Sequence, residues 1–267
     1  MDDPDILLTN DDGVDAAGLH ALHDALSSVG SVTVVAPANN QSGIGRVLSQ
    51  SVTVHEHNLG YVLEGTPADC VIAGLRSLVP ETDLVVAGCN RGANLGTAGL
   101  GRSGTVSAAV EAALLGVPAI AASMYIPVGQ FEDDSSEIDP EEYDEAASAT
   151  AYLAEHASQT DVFDRADYLN VNAPIATRST GKMVVTRPSN VYRMDSERDG
   201  KTIILNDHIW EEMESGSTPD PPGTDRHAII ENRVSVSPLT APHSTEIDPT
   251  LEGLADSYSG TTAERPD

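Results

Sequence analysis

Two hydrophobic periods alternate along the first 125 residues. Ile6-Leu7-Leu8 is a short apolar run that ends abruptly in Thr9-Asn10-Asp11-Asp12-Gly13. Leu19, Leu22 and Leu26 then recur at i, i+3 and i+7 with Gly30 just beyond, which predicts an amphipathic helix and its stop. Residues 32–36 form a β-branched strand run closed by Pro37, and 52–54 with 61–63 predict a smaller antiparallel pair. Thr66-Pro67-Ala68-Asp69 has the chemistry of a helix start, with Thr at N-cap, Pro at the first turn and an acid two residues later. Residues 83–88 are a continuous apolar strand. A glycine-rich loop follows over 89–102, then a helix over 103–115 and another buried strand over 118–123.

Strands apolar on both faces and separated by helices imply a parallel sheet covered on both sides. The predicted fold is α/β: a doubly wound, mostly parallel, Rossmann-like sheet in three layers. Further on, a helix near 143–156 leads to a strand over 168–172. Residues 183–186 and 201–205 read as strands with Asp199-Gly200 as a turn, and 207–225 as a loop. Residues 228–230 and 233–237 are expected to make a C-terminal β-hairpin. The last thirty residues are polar and expected to be extended, with a short helix around Leu251. The organisation expected is one domain over 1–267: a core over 1–125, an acidic insert over 126–145, the rest of the core plus the hairpin over 146–240, and a tail over 241–267.

Charge changes the picture most. Asp and Glu number 42 against 14 Lys and Arg, a formal net charge of −28, and Lys182 and Lys201 are the only lysines. Such a surface repels phosphate backbones and excludes a polymeric nucleic acid held in a basic groove. At about 1 M salt the screening length falls to about 3 Å, so mutual repulsion among scattered carboxylates is largely cancelled. The composition therefore reads as adaptation to a very salty cytoplasm. The densest acidic run, 132–145, is expected to be a loop or disordered insert. The longest apolar run, 112–124, contains Gly116 and Pro118 and is too short to span a membrane. An acidic N-terminus is the wrong sign for a secretory signal, and Cys70 and Cys89 give no disulfide framework and read as small buried hydrophobes.

Ligands of an open α/β sheet bind at the carboxyl ends of its strands. Three polar loops follow predicted parallel strands there: 9–13, 37–43 and 88–105. Adjacent carboxylates at a strand end raise each other's pKa unless a cation neutralises them. Asp11 and Asp12, with oxygen donors from Ser42 and Asn90, would suit Mg²⁺ or Mn²⁺. By itself an Asp-Asp-Gly turn is common, and only the convergence of three loops favours a site. Six glycines between Gly88 and Gly104 allow close backbone approach to an anion, and Ser103-Gly104-Thr105 opens a helix whose free amides favour phosphate. A dinucleotide fingerprint, a P-loop, an Asp-x-Asp-x-Thr phosphatase motif and histidine metal spacings are not matched. Trp210 and Tyr61 read as packing residues, although either can stack on a base.

At these loops the sequence resembles the SurE family of survival-protein nucleotidases. The carrying segments are Ile6-Leu-Leu-Thr-Asn-Asp-Asp-Gly13, Val34-Val-Ala-Pro37 with Gln41-Ser-Gly43, Gly65-Thr-Pro-Ala-Asp-Cys70, residues 83–96, Ser103-Gly-Thr-Val-Ser-Ala-Ala109, Leu169-Asn-Val-Asn172, Gly223-Thr-Asp225 and Val234-Ser-Val-Ser-Pro-Leu239. The resemblance implies a metal-dependent phosphomonoesterase for nucleoside monophosphates, using one divalent ion, Mg²⁺ or Mn²⁺. It implies Asp11, Asp12, Ser42 and Asn90 as metal ligands and Asn94, Ser103, Gly104 and Thr105 as phosphate contacts. It also implies a homodimer or homotetramer that exchanges C-terminal segments, and the charge and N-terminus place it in the cytoplasm. The attacking group is either a water activated by the ion or a carboxylate of the Asp11/Asp12 pair, with Asp11 assigned as catalytic nucleophile or base. Two other function classes are a nucleotide-dependent phosphotransferase and a non-enzymatic metal and nucleotide sensor. The stretch 97–102 departs from the family's usual spacing, and Arg102 in it can contact phosphate or simply be solvated.

Overall fold

The computed structural model describes residues 3–127, 138–157, 160–241 and 249–256. The alternating elements of the N-terminal half are β1 (Asp5–Thr9), α1 (Ala17–Leu26), β2 (Ser31–Pro37), β3 (Val54–His57), β4 (Gly60–Leu63), α2 (Pro67–Ala73), β5 (Leu84–Arg91), α3 (Gly96–Leu100), α4 (Gly104–Leu114) and β6 (Ala119–Tyr125). After them come α5 (Asp144–Ala157), β7 (Tyr168–Pro174), β8 (Met183–Val185), β9 (Met194–Asp199), β10 (Thr202–Asp207), α6 (Ile209–Glu214), α7 (Asp225–Ile230), β11 (Val234–Leu239) and α8 (Pro249–Asp256).

Nine strands form one sheet in the order β3-β4-β2-β1-β5-β6-β7-β11-β8. The six from β4 to β7 are parallel to one another, while β3 and β11 run antiparallel to their inner neighbours. Strand order reverses between β1 and β5, so a crevice opens at their carboxyl ends. Side chains alternate across the sheet. Ile6 and Leu8 join Leu19, Leu22 and Leu26 on the face covered by α1 and α5, and Leu7 joins Cys70, Val71, Val106 and Ala109 on the face covered by α2 and α4. This two-sided burial is what the uninterrupted apolar strand runs encode. Both cysteines are free and buried, as their apolar surroundings imply.

Local capping chemistry explains several boundaries. Thr66 accepts the Asp69 amide at 3.2 Å, and the Asp69 carboxylate accepts the Thr66 amide at 2.9 Å, a complete capping box. Ser103 caps α4 by accepting the Val106 amide at 3.0 Å.

Three expectations need correction. The C-terminal hairpin over 228–230 and 233–237 does not form: Ala228-Ile229-Ile230 is the buried end of α7, and β11 inserts into the main sheet between β7 and β8. A β-branched run fits a buried helix turn as well as a strand, and Asp225 fixes the helix start through tertiary bonds described below. The hairpin present instead is β9–β10, turned at Asp199-Gly200 as expected, with Gly200 at φ +59°, and separate from the large sheet. The loop expected over 207–225 contains α6. The acidic insert is ordered from Pro140 onwards: Asp139 accepts the Glu141 amide at 3.1 Å, Pro140 opens a 3₁₀ turn, and acids in the first turn of α5 complement the helix dipole. The remainder of that insert, 128–137, lies outside the described residues, as does most of the tail. The expected exchange of the tail between subunits falls there too. The short helix expected around Leu251 is α8.

Candidate functional site

Strand β1 ends by delivering Asp11 into the crevice. Its carboxyl group is buried, with the residue 3% exposed, and three neighbours fix it. The Thr105 hydroxyl donates to its Oδ1 at 2.5 Å, the Gln41 amide donates to its carbonyl at 2.6 Å, and the start of α4 presses on it from the side. A Cβ on Gly104 would lie 2.7 Å from Asp11 Oδ2 and 2.8 Å from Asp11 Cβ, so only glycine permits this approach. Burial, opposed by the Thr105 hydroxyl and reinforced by the charge of Asp12, pushes the Asp11 carboxyl up to about 6. Asp12 points to the neighbouring loops: its Oδ2 accepts the Arg91 amide at 3.0 Å and its Oδ1 meets the Ser42 hydroxyl at 3.4 Å.

A cavity of about 300 Å³ opens above these groups. Among the residues assigned from the sequence, Asp11, Ser42, Asn90, Asn94 and Ser103 line it. Gly104 and Thr105 stand behind that wall, packed on Asp11, while Asp12, joined to Ser42, lines a neighbouring cavity with Asn40, Arg91 and Tyr143. Asn90 donates its amide group to the Gly92 carbonyl at 2.6 Å, which leaves its side-chain oxygen as the acceptor end. Four arginines, Arg91, Arg102, Arg193 and Arg226, also line the cavity, a local cationic wall in a chain of net charge −28.

The donor set fits a hard divalent cation. It consists of two carboxylates on adjacent residues, a hydroxyl and a carboxamide oxygen, all oxygen donors; Asp11, Ser42 and Asn90 line the cavity and Asp12 meets Ser42 beside it. Among the described residues no cluster of three His, Cys, Asp or Glu side chains offers a soft or histidine-rich site.

Residues that sequence reasoning did not assign hold the loop carrying Asn94. Its backbone amide donates to Asn172 Oδ1 at 2.8 Å, and its carbonyl accepts from Asn170 at 2.9 Å and from Asn172 at 3.2 Å. Its side-chain amide donates to Ser123 Oγ at 2.9 Å, while Asn170 Oδ1 is buried with no partner among the described residues. The available signal was two asparagines, at i and i+2, inside an otherwise apolar strand. Asp225 is the second support. It is fully buried at the start of α7 and accepts the amides of Gly96 at 2.7 Å, Ser189 at 2.9 Å and Arg226 at 2.8 Å. Burial raises its pKa despite those amides and the Arg226 guanidinium. Arg226 in turn donates to the Val191 carbonyl at 2.7 Å and lies 3.9 Å from the buried Asp220. Arg102 is not simply solvated: its Nη2 donates to Tyr192 Oη at 2.8 Å.

The model of the family described as "Survival protein SurE" matches residues 6–195. A protein of Haloarcula marismortui named 5'-nucleotidase SurE is 60% identical over 97% of this chain and 96% of its own length. One of the same name from Natronomonas pharaonis is 59% identical over 95% of this chain and 99% of its own. Both come from halophilic archaea, in keeping with the charge balance. Among solved structures, the Sure protein from Aquifex aeolicus superposes with a TM-score of 0.78 at 30% identity, covering 95% of this chain and all of that one.

Proposed function

The chain belongs to the SurE family, and from that premise we propose that it is a divalent-metal-dependent phosphomonoesterase that converts nucleoside 5′-monophosphates to nucleoside and phosphate. The observation that carries this reading is the meeting, in one cavity, of the Asp11 corner with Asn94, Ser103 and a wall of arginines. Carboxylates alone would repel a dianionic substrate; arginines alone would bind it without reacting. Their combination suits a phosphoryl group held beside a cation.

Asp11, Asp12, Ser42 and Asn90 would hold one Mg²⁺ or Mn²⁺. When bound, the ion would polarise phosphoryl oxygens and offset the substrate's charge. Asn94 and Ser103 face the cavity and would hold phosphoryl oxygens at the α4 N-terminus. Gly104 brings that helix end against Asp11. Thr105 keeps the carboxyl oriented and thereby ties the acid to the anion cradle. In the net reaction the hydroxyl of water joins phosphorus, the bond from phosphorus to the nucleoside oxygen breaks, and the proton ends on that oxygen. Asp11 is assigned as nucleophile or base because, of the Asp11/Asp12 pair, it is the member that lines the cavity.

We also assign the protein to a salty cytoplasm as a homodimer or homotetramer. Among the described residues no helix is long and apolar enough to cross a membrane. The test is a phosphate-release panel of nucleoside monophosphates in multimolar KCl with Mg²⁺ and Mn²⁺ supplied in turn. Free phosphate from AMP without an acceptor is expected and would set aside a phosphotransferase. Asp12→Asn should abolish metal-dependent release while leaving the circular dichroism spectrum unchanged. Nucleotide binding without turnover would instead favour a sensor.

A further inference from the structure

The cavity that holds the phosphate side of the site is also lined by aromatic and aliphatic side chains that phosphate chemistry does not use. Tyr192, Ile209 and Trp210 contribute to the same wall. Trp210 is the chain's single tryptophan, in a protein only 4% aromatic. It sits on α6, half-buried, packed on the cluster of Leu95, Met213 and Ile229. Leu95 directly follows Asn94, so the indole is braced against the loop that carries a phosphate contact.

Tyr192 is held from the other direction. It is 55% exposed, and Arg102 donates to its hydroxyl at 2.8 Å. The same guanidinium lies 5.8 Å from the ring centroid. Arg102 immediately precedes Ser103, the cap of the phosphate-side helix. Both rings are thus tied, one through Leu95 and one through Arg102, to residues that face the phosphoryl group. A half-exposed ring that is braced in place and open on one face is suited to stacking.

We propose that Trp210, with Tyr192 and its Arg102 brace, forms the nucleobase subsite of this cavity, and that the base is recognised by its face. The inference rests on the nucleotidase reading above and names the part of the substrate that reading leaves unassigned. Stacking tolerates all bases because each offers a π surface, so the subsite selects nucleotides over other phosphate monoesters. A phosphate ester without a base, such as ribose 5-phosphate, forgoes that contact. Loss of one stacking face corresponds to a roughly five- to hundredfold loss of preference.

The single indole makes its emission a direct reporter. In multimolar KCl, adenosine and AMP should each quench it saturably, whereas inorganic phosphate and ribose 5-phosphate should not. Kinetically, the ratio of kcat/KM for AMP to that for ribose 5-phosphate should fall roughly five- to hundredfold in Trp210→Ala, mainly through KM for AMP, and be largely kept in Trp210→Phe. Tyr192→Ala should lower the same ratio, and supplies the test if Trp210→Ala does not fold. Indole emission indifferent to adenosine, or an unchanged ratio in these variants, would overturn the subsite. Should the wild-type protein hydrolyse no phosphate ester, the phosphatase reading would fall, and quenching by adenosine would still decide the subsite.

Discussion

Replacing Gly104 with alanine perturbs the site by one methyl group at a known place. The added Cβ would sit 2.8 Å from Asp11 Cβ, 2.7 Å from Asp11 Oδ2 and 3.1 Å from Asp11 Cγ. Carbon atoms in contact prefer about 3.5–4.0 Å, so something must yield by roughly 0.7–1 Å. Asp11 has little freedom to do so, since its Oδ1 is bound by Thr105 and its carbonyl by the Gln41 amide. Crowding of this kind costs about 1–3 kcal/mol, partly offset by up to about 1 kcal/mol from the better helix propensity of alanine. Net destabilisation should therefore lie between about 0 and 3 kcal/mol, which the fold should survive. Catalysis should suffer more, because a displacement near 1 Å at reacting groups can cost about a hundredfold. The expected result is a loss of roughly ten- to hundredfold in kcat for AMP, measured by phosphate release in multimolar KCl at a temperature well below the melting transition, where the variant remains folded by circular dichroism. Gly101→Ala is the control, since nothing lies within 4 Å of its virtual Cβ. If Gly104→Ala kept kcat within about twofold of wild type, the contact between α4 and Asp11 would not belong to the reacting geometry.

Asp225→Ala removes the acceptor of three buried amides beside Arg226, and should lower the unfolding free energy by about 3 kcal/mol or more; an unchanged urea midpoint would contradict its structural role. On dialysis from multimolar KCl to dilute buffer, repulsion within a chain of net charge −28 is unscreened, so helical circular dichroism should fall; retention of the full signal would refute the salt reading. His208 Nε2 lies 2.9 Å from Asp195 Oδ2, which raises the imidazole and lowers the carboxyl from their ordinary values. The pair's stabilising contribution is therefore complete between the ordinary 3.8 of the acid and the ordinary 6.5 of the base. It is lost as pH rises through the raised His208 pKa, or falls through the lowered Asp195 pKa. Proton NMR should place the His208 midpoint above the ordinary value in wild type and lower in Asp195→Asn, and equal midpoints would count against the contact.

Where a signal is local, the chain states it openly. The apolar run of β1 ending in Thr9-Asn10-Asp11-Asp12, the Leu19/Leu22/Leu26 stripe and the Thr66 capping box each need only neighbours within one turn, and each appears as expected. The Ala228-Ile229-Ile230 run is different. Its composition fits a strand, and it becomes the end of a helix because the Asp225 carboxylate is drawn to the amides of Gly96 and Ser189. No period or cap within the segment contains that information. Arg102 likewise offers no local hint that it faces Tyr192, ninety residues away.

The sequence by itself determined the α/β class, the three polar loops at one edge of the sheet, the acidic surface and the residues that resemble a nucleotidase site. Tertiary structure alone decided which of them share a wall. Thr105 reaches Asp11 across 94 positions, Asn172 reaches Asn94 across 78, and Asp225 reaches Gly96 across 129. Hydrophobic periodicity and capping act over a few residues, because they arise from the geometry of one turn or one pleat. Contacts across such separations depend on strand order and on the burial of polar groups that must find partners wherever the sheet places them. The carboxylate corner was therefore legible as a set of candidates, while the Asn170/Asn172 clasp and the aromatic wall around Trp210 became visible only once β1, β5, β6 and β7 stood side by side in one sheet.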